Sequence, residues 1–156
     1  MPVSYFEYIF YSLCLKNGIP IFSVRQDAKQ DIRGIKVKNF DFICHTKSKV
    51  YLIDVKGSAK LAGDVKATKD DINSMKTLKK LYGRKAEALF VFLWLEDSQL
   101  QKDTFNQKFK IKAIDVDTFD KFKKLQKGWG GVFYRCPPKK LKNIWDFFPE
   151  FKKLIK

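Results

Sequence analysis

The chain has 156 residues and a formal net charge of +15, because 32 Lys and Arg stand against 17 Asp and Glu. Such a charge does not determine a fold, but it favours polyanions as partners, with nucleic acid first. Hydrophobic residues make up 45% of the chain and aromatic residues 15%, which excludes a disordered basic tail, and no apolar run approaches the roughly 20 residues of a membrane span. We therefore expect one domain, residues 1–156, with a buried core and no membrane segment.

The first half of the chain predicts a helix followed by strands. Ser4 is a suitable N-cap with Glu7 three residues later, and Asn17-Gly18 is a suitable stop. Short β-branched and aromatic runs, bounded by polar turns, predict the strands. In chain order we expect a helix at Ser4–Leu15, a strand at Ile19–Val24, a mobile excursion or strand extension at Arg25–Lys38, and strands at Phe40–Cys44 and Val50–Val55.

The second half predicts further helices and strands. Thr68 and Gly83 are a suitable cap and stop for a second helix, and Pro137-Pro138 breaks the chain before the C-terminal segment. The expected elements are a helix at Thr68–Tyr82, strands at Ala88–Leu95 and Lys110–Val116, a helix at Thr118–Gln126, a strand at Gly131–Arg135, and a C-terminal helix around Leu141–Lys156, interrupted near Pro149. This order predicts an α/β fold with a mixed sheet between helices.

The cysteines indicate the compartment. Cys14, Cys44 and Cys136 are odd in number and widely separated, which is typical of free thiols in a reducing environment. The apolar N-terminal stretch also lacks the preceding positive region of a signal peptide. We therefore expect a cytoplasmic protein.

The two central strands bring acidic residues together in what should be a buried sheet. The polar segment His45–Lys49 predicts a turn, which makes the strands an antiparallel hairpin and places Asp41 opposite Asp54. Like charges directly opposed in this way are destabilising. Lys56 follows Asp54 by two residues, so the two side chains emerge on the same face. This pattern indicates a divalent-cation site with a cationic catalytic group; the alternative is a surface salt bridge between Asp54 and Lys56.

This arrangement resembles the core of the PD-(D/E)xK nuclease superfamily, which includes restriction enzymes and Holliday-junction resolvases. Asp41 stands in place of the motif's first acid, and Asp54-Val55-Lys56 stands for the second acid, a spacer and the lysine, although Phe40 occupies the position of the proline. The flanking segments are more closely similar to a small group of uncharacterised bacterial members. The resemblance covers about residues 4–95 and implies a restriction-endonuclease-like core, a mixed central sheet flanked by helices, with a C-terminal extension at about residues 110–156.

The resemblance also implies a metal-dependent site. Asp41 and Asp54 would hold one or two Mg²⁺ or Mn²⁺ ions, with the backbone carbonyl of Val55 as a further ligand. Lys56 would orient or deprotonate the attacking water, or stabilise the phosphate by its charge.

Glu7 is open to two interpretations. Many members of the superfamily place a Glu in the first helix, which implies a catalytic or metal-binding role for Glu7. The Ser4-x-x-Glu7 pattern is also a capping box, which requires no metal. Glu7 is nevertheless the only charged residue among the first fifteen, on a helix too apolar to face water.

Basic residues near the hairpin are candidates for contacts with phosphate. Lys69 is favoured in the second helix because the helix dipole also attracts phosphate at its N-terminal end. The full set of candidates comprises Lys66, Lys69 and Lys76 near the second helix, and Arg25, Arg33, Lys36 and Lys38 before the hairpin. A solvated basic face is the ordinary alternative for each.

Together these features predict a metal-dependent DNA endonuclease that hydrolyses phosphodiester bonds. Structure-specific cleavage is one form that this activity could take. A homodimer is expected if both strands are cut, because each chain has one site. Two alternatives remain: a non-catalytic nucleic-acid-binding domain of the same fold, and an RNA-directed nuclease.

Overall fold

The computed structural model describes residues 5–24, 29–32, 35–58, 63–95, 109–126 and 132–153. The helices in these ranges are α1 (Tyr5–Lys16), α2 (Lys69–Tyr82) and α3 (Val116–Phe122). The strands are β1 (Ile21–Ser23), β2 (Lys29–Ile32), β3 (Ile35–Lys38), β4 (Phe42–His45), β5 (Val50–Ser58), β6 (Val65–Thr68), β7 (Ala86–Leu95), β8 (Phe109–Asp115), β9 (Lys124–Gln126), β10 (Phe133–Cys136) and β11 (Lys142–Asn143). Short 3-10 turns lie at Pro138–Lys140, Ile144–Asp146 and Pro149–Lys153.

A six-stranded mixed sheet lies at the centre of the structure, in the order β1-β4-β5-β7-β8-β11. Strands β5 and β7 are parallel, whereas the other neighbouring pairs are antiparallel. Two smaller sheets have the orders β6-β10-β9 and β2-β3. The α/β fold with a mixed central sheet is therefore confirmed. Among the described helices, none is long and apolar enough to cross a membrane.

Hydrophobic side chains cover both faces of the central sheet. One cluster joins α1 to the C-terminal turns and includes the fully buried Phe10 and Phe148. The other joins α2 and α3 and includes Ile72 and Phe119. Strand β7 supplies alternate residues to the two clusters, which confirms the prediction of a strand covered on both faces. Each fully buried Phe contributes roughly 1.5–3 kcal/mol, so these two layers fix the sheet between the helices.

The first two helices follow their predicted limits closely. Thr68 caps α2, because its Oγ1 accepts a hydrogen bond from the Asp71 N–H at 3.0 Å. Gly18 and Gly83 follow the ends of α1 and α2 with positive φ angles of 72° and 97°, a conformation that favours glycine. Strand β4 begins at Phe42, two residues later than predicted.

The segment before the central hairpin folds differently from the prediction. Instead of extending β1, its described part forms a separate antiparallel hairpin of β2 and β3, paired from Lys29–Lys38 to Ile32–Ile35. Val37 is buried in the cluster beneath α2. A single Val among charged residues is a weak sequence signal for a strand that packs on the core. In the structure this Val packs the hairpin against α2.

The predictions for the C-terminal third were partly wrong. The short helix begins at Val116, after the N-cap Asp115, and ends at Phe122. Residues 124–126 then form β9 because they pair with β10. Instead of a C-terminal helix around Leu141–Lys156, the described residues form β11, which pairs with β8, and 3-10 turns. The proline at 149 removes a helical donor, and burial of Phe148 and Phe151 in the core outweighs helix propensity.

Gly57 sets how closely α1 approaches β5. A Cβ built on Gly57 would overlap the ring of Phe6 and approach its Cβ, so a change of rotamer alone does not relieve the contact. We expect Gly57→Ala to lower the free energy of unfolding by about 1–3 kcal/mol, as overpacking does, measured by urea denaturation. In a Phe6→Ala background the same substitution should cost less, and an equal cost would contradict this packing.

Candidate active site

The β4–β5 hairpin brings two acidic residues together. Its register pairs His45 with Val50 and Phe42 with Ile53, as the predicted turn required. Asp41 lies one residue before β4, and its N–H donates to the carbonyl oxygen of Ile53 at 2.9 Å. The pairing thus continues past the end of the strand, and the Asp41 carboxylate lies close enough to Asp54 for the two to repel electrostatically.

Both carboxylates lie in a poorly hydrated place. Asp41 and Asp54 are each only 7% exposed, and Asp41 Oδ2 accepts a hydrogen bond from the Val55 N–H at 2.7 Å. Burial, followed by the charge of Asp54, raises the pKa of Asp41 to about 9. Without a compensating cation, Asp41 therefore holds a proton at neutral pH.

Lys56 lies beside this pair on the face predicted. Its Nζ is 3.3 Å from Asp54 Oδ2 and 2.8 Å from Asp71 Oδ2, and it lies 5.6 Å from the centre of the Phe90 ring. Burial alone would lower the pKa of Lys56, but Asp54 and Asp71 outweigh that effect and raise the pKa above its usual value. Lys56 is therefore a fixed ammonium group rather than a neutral amine.

Asp71, in the first turn of α2, is a site residue that the sequence did not predict. Its two oxygens bind Lys56 and Lys38, the latter with Nζ 2.5 Å from Oδ1. Burial would raise the pKa of Asp71, but these two lysines lower it to about 2. One signal was available, because Asp71 lies on the same helical face as the buried Met75 and Leu78, where an uncompensated acid is costly.

Glu7 enters the region from α1. It is buried, and its charge contributes to the raised pKa of Asp41, so it lies near the acidic pair. The capping interpretation depends on Ser4, which lies outside the described residues. The metal-binding and capping interpretations of Glu7 both stay predictions.

The chemistry of the two aspartates suits a hard divalent cation. Lys56 approaches Asp54 Oδ2 without hydrogen-bond geometry, and this buried oxygen accepts no hydrogen bond from the described residues. Carboxylate oxygens of this kind are the ligands that Mg²⁺ and Mn²⁺ prefer. Within the described ranges, no group of three or more His, Cys, Asp or Glu side chains is arranged around a single metal position. Asp41 and Asp54 are therefore the first candidates for metal ligands, and Glu7 and the Val55 carbonyl stay predictions.

The predicted phosphate contacts lie in different environments. Lys66 and Lys69 are exposed, whereas Lys76 pairs with Asp120 at 2.7 Å and Lys38 pairs with Asp71. The backbone of Lys36 lies in β3, while Arg25 and Arg33 lie outside the described residues.

Comparison with solved structures supports the fold. No family model matches the sequence, and no curated protein is similar to it in sequence. The structure is similar to that of Hjc, a Holliday junction resolvase from Archaeoglobus fulgidus, an archaeal hyperthermophile, with a TM-score of 0.60 and 13% sequence identity. The match covers 91% of this chain and 96% of that chain. At this identity the likeness shows the fold, which is the restriction-endonuclease-like fold predicted from the sequence.

Proposed function

We propose that the protein is a metal-dependent DNA endonuclease. The observation that carries this proposal is the pair of buried carboxylates, Asp41 and Asp54, with the ammonium group of Lys56 3.3 Å from Asp54. Burying two like charges side by side is unfavourable without a cation. An arrangement with this cost is therefore better explained by a functional site than by packing.

In this proposal Asp41 and Asp54 hold Mg²⁺ or Mn²⁺, with the Val55 carbonyl and Glu7 as further candidate ligands. A bound divalent cation supplies Lewis acidity toward the phosphate and activation of water. The Val55 N–H holds the Asp41 carboxylate in position. The Lys56 ammonium, held by Asp71, donates hydrogen bonds to the phosphate as negative charge develops there.

DNA is the favoured substrate, and a branched structure is the first form to test. The net charge of +15 attracts any nucleic acid, and the structurally similar Hjc is a Holliday junction resolvase. We expect wild-type protein with Mg²⁺ or Mn²⁺ to cut end-labelled DNA and to leave 5′-phosphate and 3′-hydroxyl ends. Comparing the rates of cutting would identify the preferred substrate. The substrates to compare are four-way junction, duplex and single-stranded DNA, and RNA of the same sequence. Size-exclusion chromatography with light scattering would test the proposed homodimer.

A non-catalytic nucleic-acid-binding domain is the second candidate. It is favoured by the net charge of +15, which attracts nucleic acid whether or not the chain cuts it. Binding to all these substrates, with no cutting under either metal, would support this candidate. Cutting of RNA alone would instead support an RNA-directed nuclease.

A further inference from the structure

The small β6-β10-β9 sheet carries three cationic side chains in one row. Arg135 in the middle strand pairs directly with Lys66 on one side and with Lys124 on the other. All three residues are exposed. Directly paired residues lie on the same face of an antiparallel sheet, and two strand spacings amount to about 10 Å. The row is therefore a short, continuous line of positive charge.

This row is poorly neutralised by the protein itself. Arg135 Nε lies 3.7 Å from Asp64 Oδ2, but Lys66 and Lys124 form no ion pair within the described ranges. Like charges in direct cross-strand pairs are destabilising. A polyanion laid across the row would remove that repulsion.

Three lysines near α3 are neutralised by the protein. Lys76, Lys79 and Lys123 each form an ion pair with an acidic residue of α3. The contrast shows that the high net charge does not by itself leave lysines unpaired in the folded chain. What the register of the small sheet provides is the alignment of three cations side by side.

The rest of the same face suits a nucleic-acid backbone. The next row along the strands consists of Thr68, Phe133 and Gln126, which are uncharged, and Asp64 beside Arg135 is the acidic residue that contacts the row. The hydroxyl of Thr68 is committed to capping α2. Phe133 is half-buried and presents an uncharged surface beside the cations.

The sheet lies next to the carboxylate site. Strand β6 leads directly into α2, and the Lys69 N–H donates to the Val132 carbonyl oxygen at 3.0 Å. Two residues of strand and one helical turn separate Lys66 from Asp71, a path of roughly 12 Å. Asp71 binds Lys56. A nucleic acid bound on the row therefore passes close to the N-terminal end of α2, the helix that carries Asp71.

We propose that Lys66, Arg135 and Lys124 bind the phosphodiester backbone of the nucleic acid substrate, as a contact separate from the carboxylate site. The inference rests on the proposed function for the nature of its ligand. One strand of a duplex carries one charge per ~3.4 Å of helix axis, so a 10 Å row spans about three phosphates of that strand. The three cations of the row can neutralise these phosphates.

The test is the salt dependence of binding to a labelled 30-base-pair duplex in EDTA, where no cleavage interferes. The triple variant Lys66→Gln/Lys124→Gln/Arg135→Gln should bind at least tenfold more weakly at low salt. The slope of log affinity against log salt should become shallower by about 2–3, since each lost phosphate contact removes about 0.9. The charge-retaining variant Lys66→Arg/Lys124→Arg/Arg135→Lys should keep the wild-type slope.

A matched control removes the same number of charges elsewhere. Three exposed residues serve for this control: Lys47, Arg84 and Lys85. They lie near the start of β5, where the Val50 N–H donates to the Lys85 carbonyl oxygen at 2.8 Å, whereas Lys56 lies near the end of that strand. Their triple Gln variant should change the slope by less than 1. Equal losses in both triple variants would overturn the inference, as would a row variant that loses binding to phosphatidylserine vesicles but not to DNA.

The outcome is separable from the proposed function. If the row variant loses DNA binding and the wild type cuts no substrate, the proposed role of the row is supported and the proposed nuclease activity is overturned. A row variant that binds like wild type, in a protein that cuts DNA, would overturn the row alone.

Discussion

Replacing Lys56 by Gln is expected to lower the single-turnover rate of cleavage by about 10²–10³, the usual cost of removing one charged donor at a developing negative charge. Replacing it by Arg should recover at least tenfold of this loss, because the raised pKa of Lys56 makes it an ammonium group and Arg retains that charge. Rapid-quench measurements with saturating enzyme at pH 7–9 would separate these rates from substrate binding.

The control for this series is Lys47→Gln, which removes an exposed charge in the β4–β5 turn and should leave the rate unchanged. Because the Lys56 variants also weaken the pairing with Asp71, rates should be compared at a temperature where circular dichroism shows all variants folded. If the Arg variant is as slow as the Gln variant, and the wild-type rate rises tenfold per pH unit, Lys56 acts as a base instead.

Replacing Asp41 by Asn is expected to stabilise the metal-free protein at pH 8, by about 2 kcal/mol or ~4–8 °C in Tm. The pKa of Asp41 is raised in the folded state to about 9. A raised pKa gives stability that is complete below the unfolded value, near pH 4, and is lost as the pH rises through about 9. The advantage of the Asn variant, which keeps an acceptor for the Val55 N–H, should therefore grow from pH 5 to pH 9.

Metal should reverse this difference. A cation that binds only the folded state adds stability, so saturating Mg²⁺ or Mn²⁺ should raise the Tm of the wild type at pH 8 and have little effect on Asp41→Asn. Asp146→Asn, at an exposed position, serves as the matched control and should behave like wild type throughout. A wild type whose Tm is independent of both pH and metal in this range would contradict the assignment of Asp41.

The sequence predicted those parts of the site that depend on local geometry. A short turn fixes the register of a hairpin, and the period of two along a strand places Asp54 and Lys56 on one face. The cap Thr68 and the stop Gly83 of α2 likewise each bond to a residue three or four positions away. The structure contains these features as predicted, because they depend on contacts between residues that are close in the sequence.

The features that were missed depend on contacts between distant residues. Asp71 holds Lys56 and also pairs with Lys38, which is 33 residues away in a hairpin that was not predicted. The C-terminal segment was predicted as a helix, but Phe148 and Phe151 fill the core beside Phe10 from 3-10 turns. The row on the small sheet also depends on long-range pairing, between Lys66 and Arg135.

The most direct test of the account is cleavage of an end-labelled four-way junction by wild type and by Asp54→Asn, each with Mg²⁺ and with EDTA. Asp54 carries the buried oxygen with no hydrogen-bond donor in the described structure, and Asn removes its charge while retaining its size. We predict cutting by wild type with Mg²⁺ only, and a loss of at least 10³-fold in the variant, which should still bind the junction. Equal cutting by both proteins would contradict the account, as would binding without cutting by wild type with either Mg²⁺ or Mn²⁺ on every substrate tested.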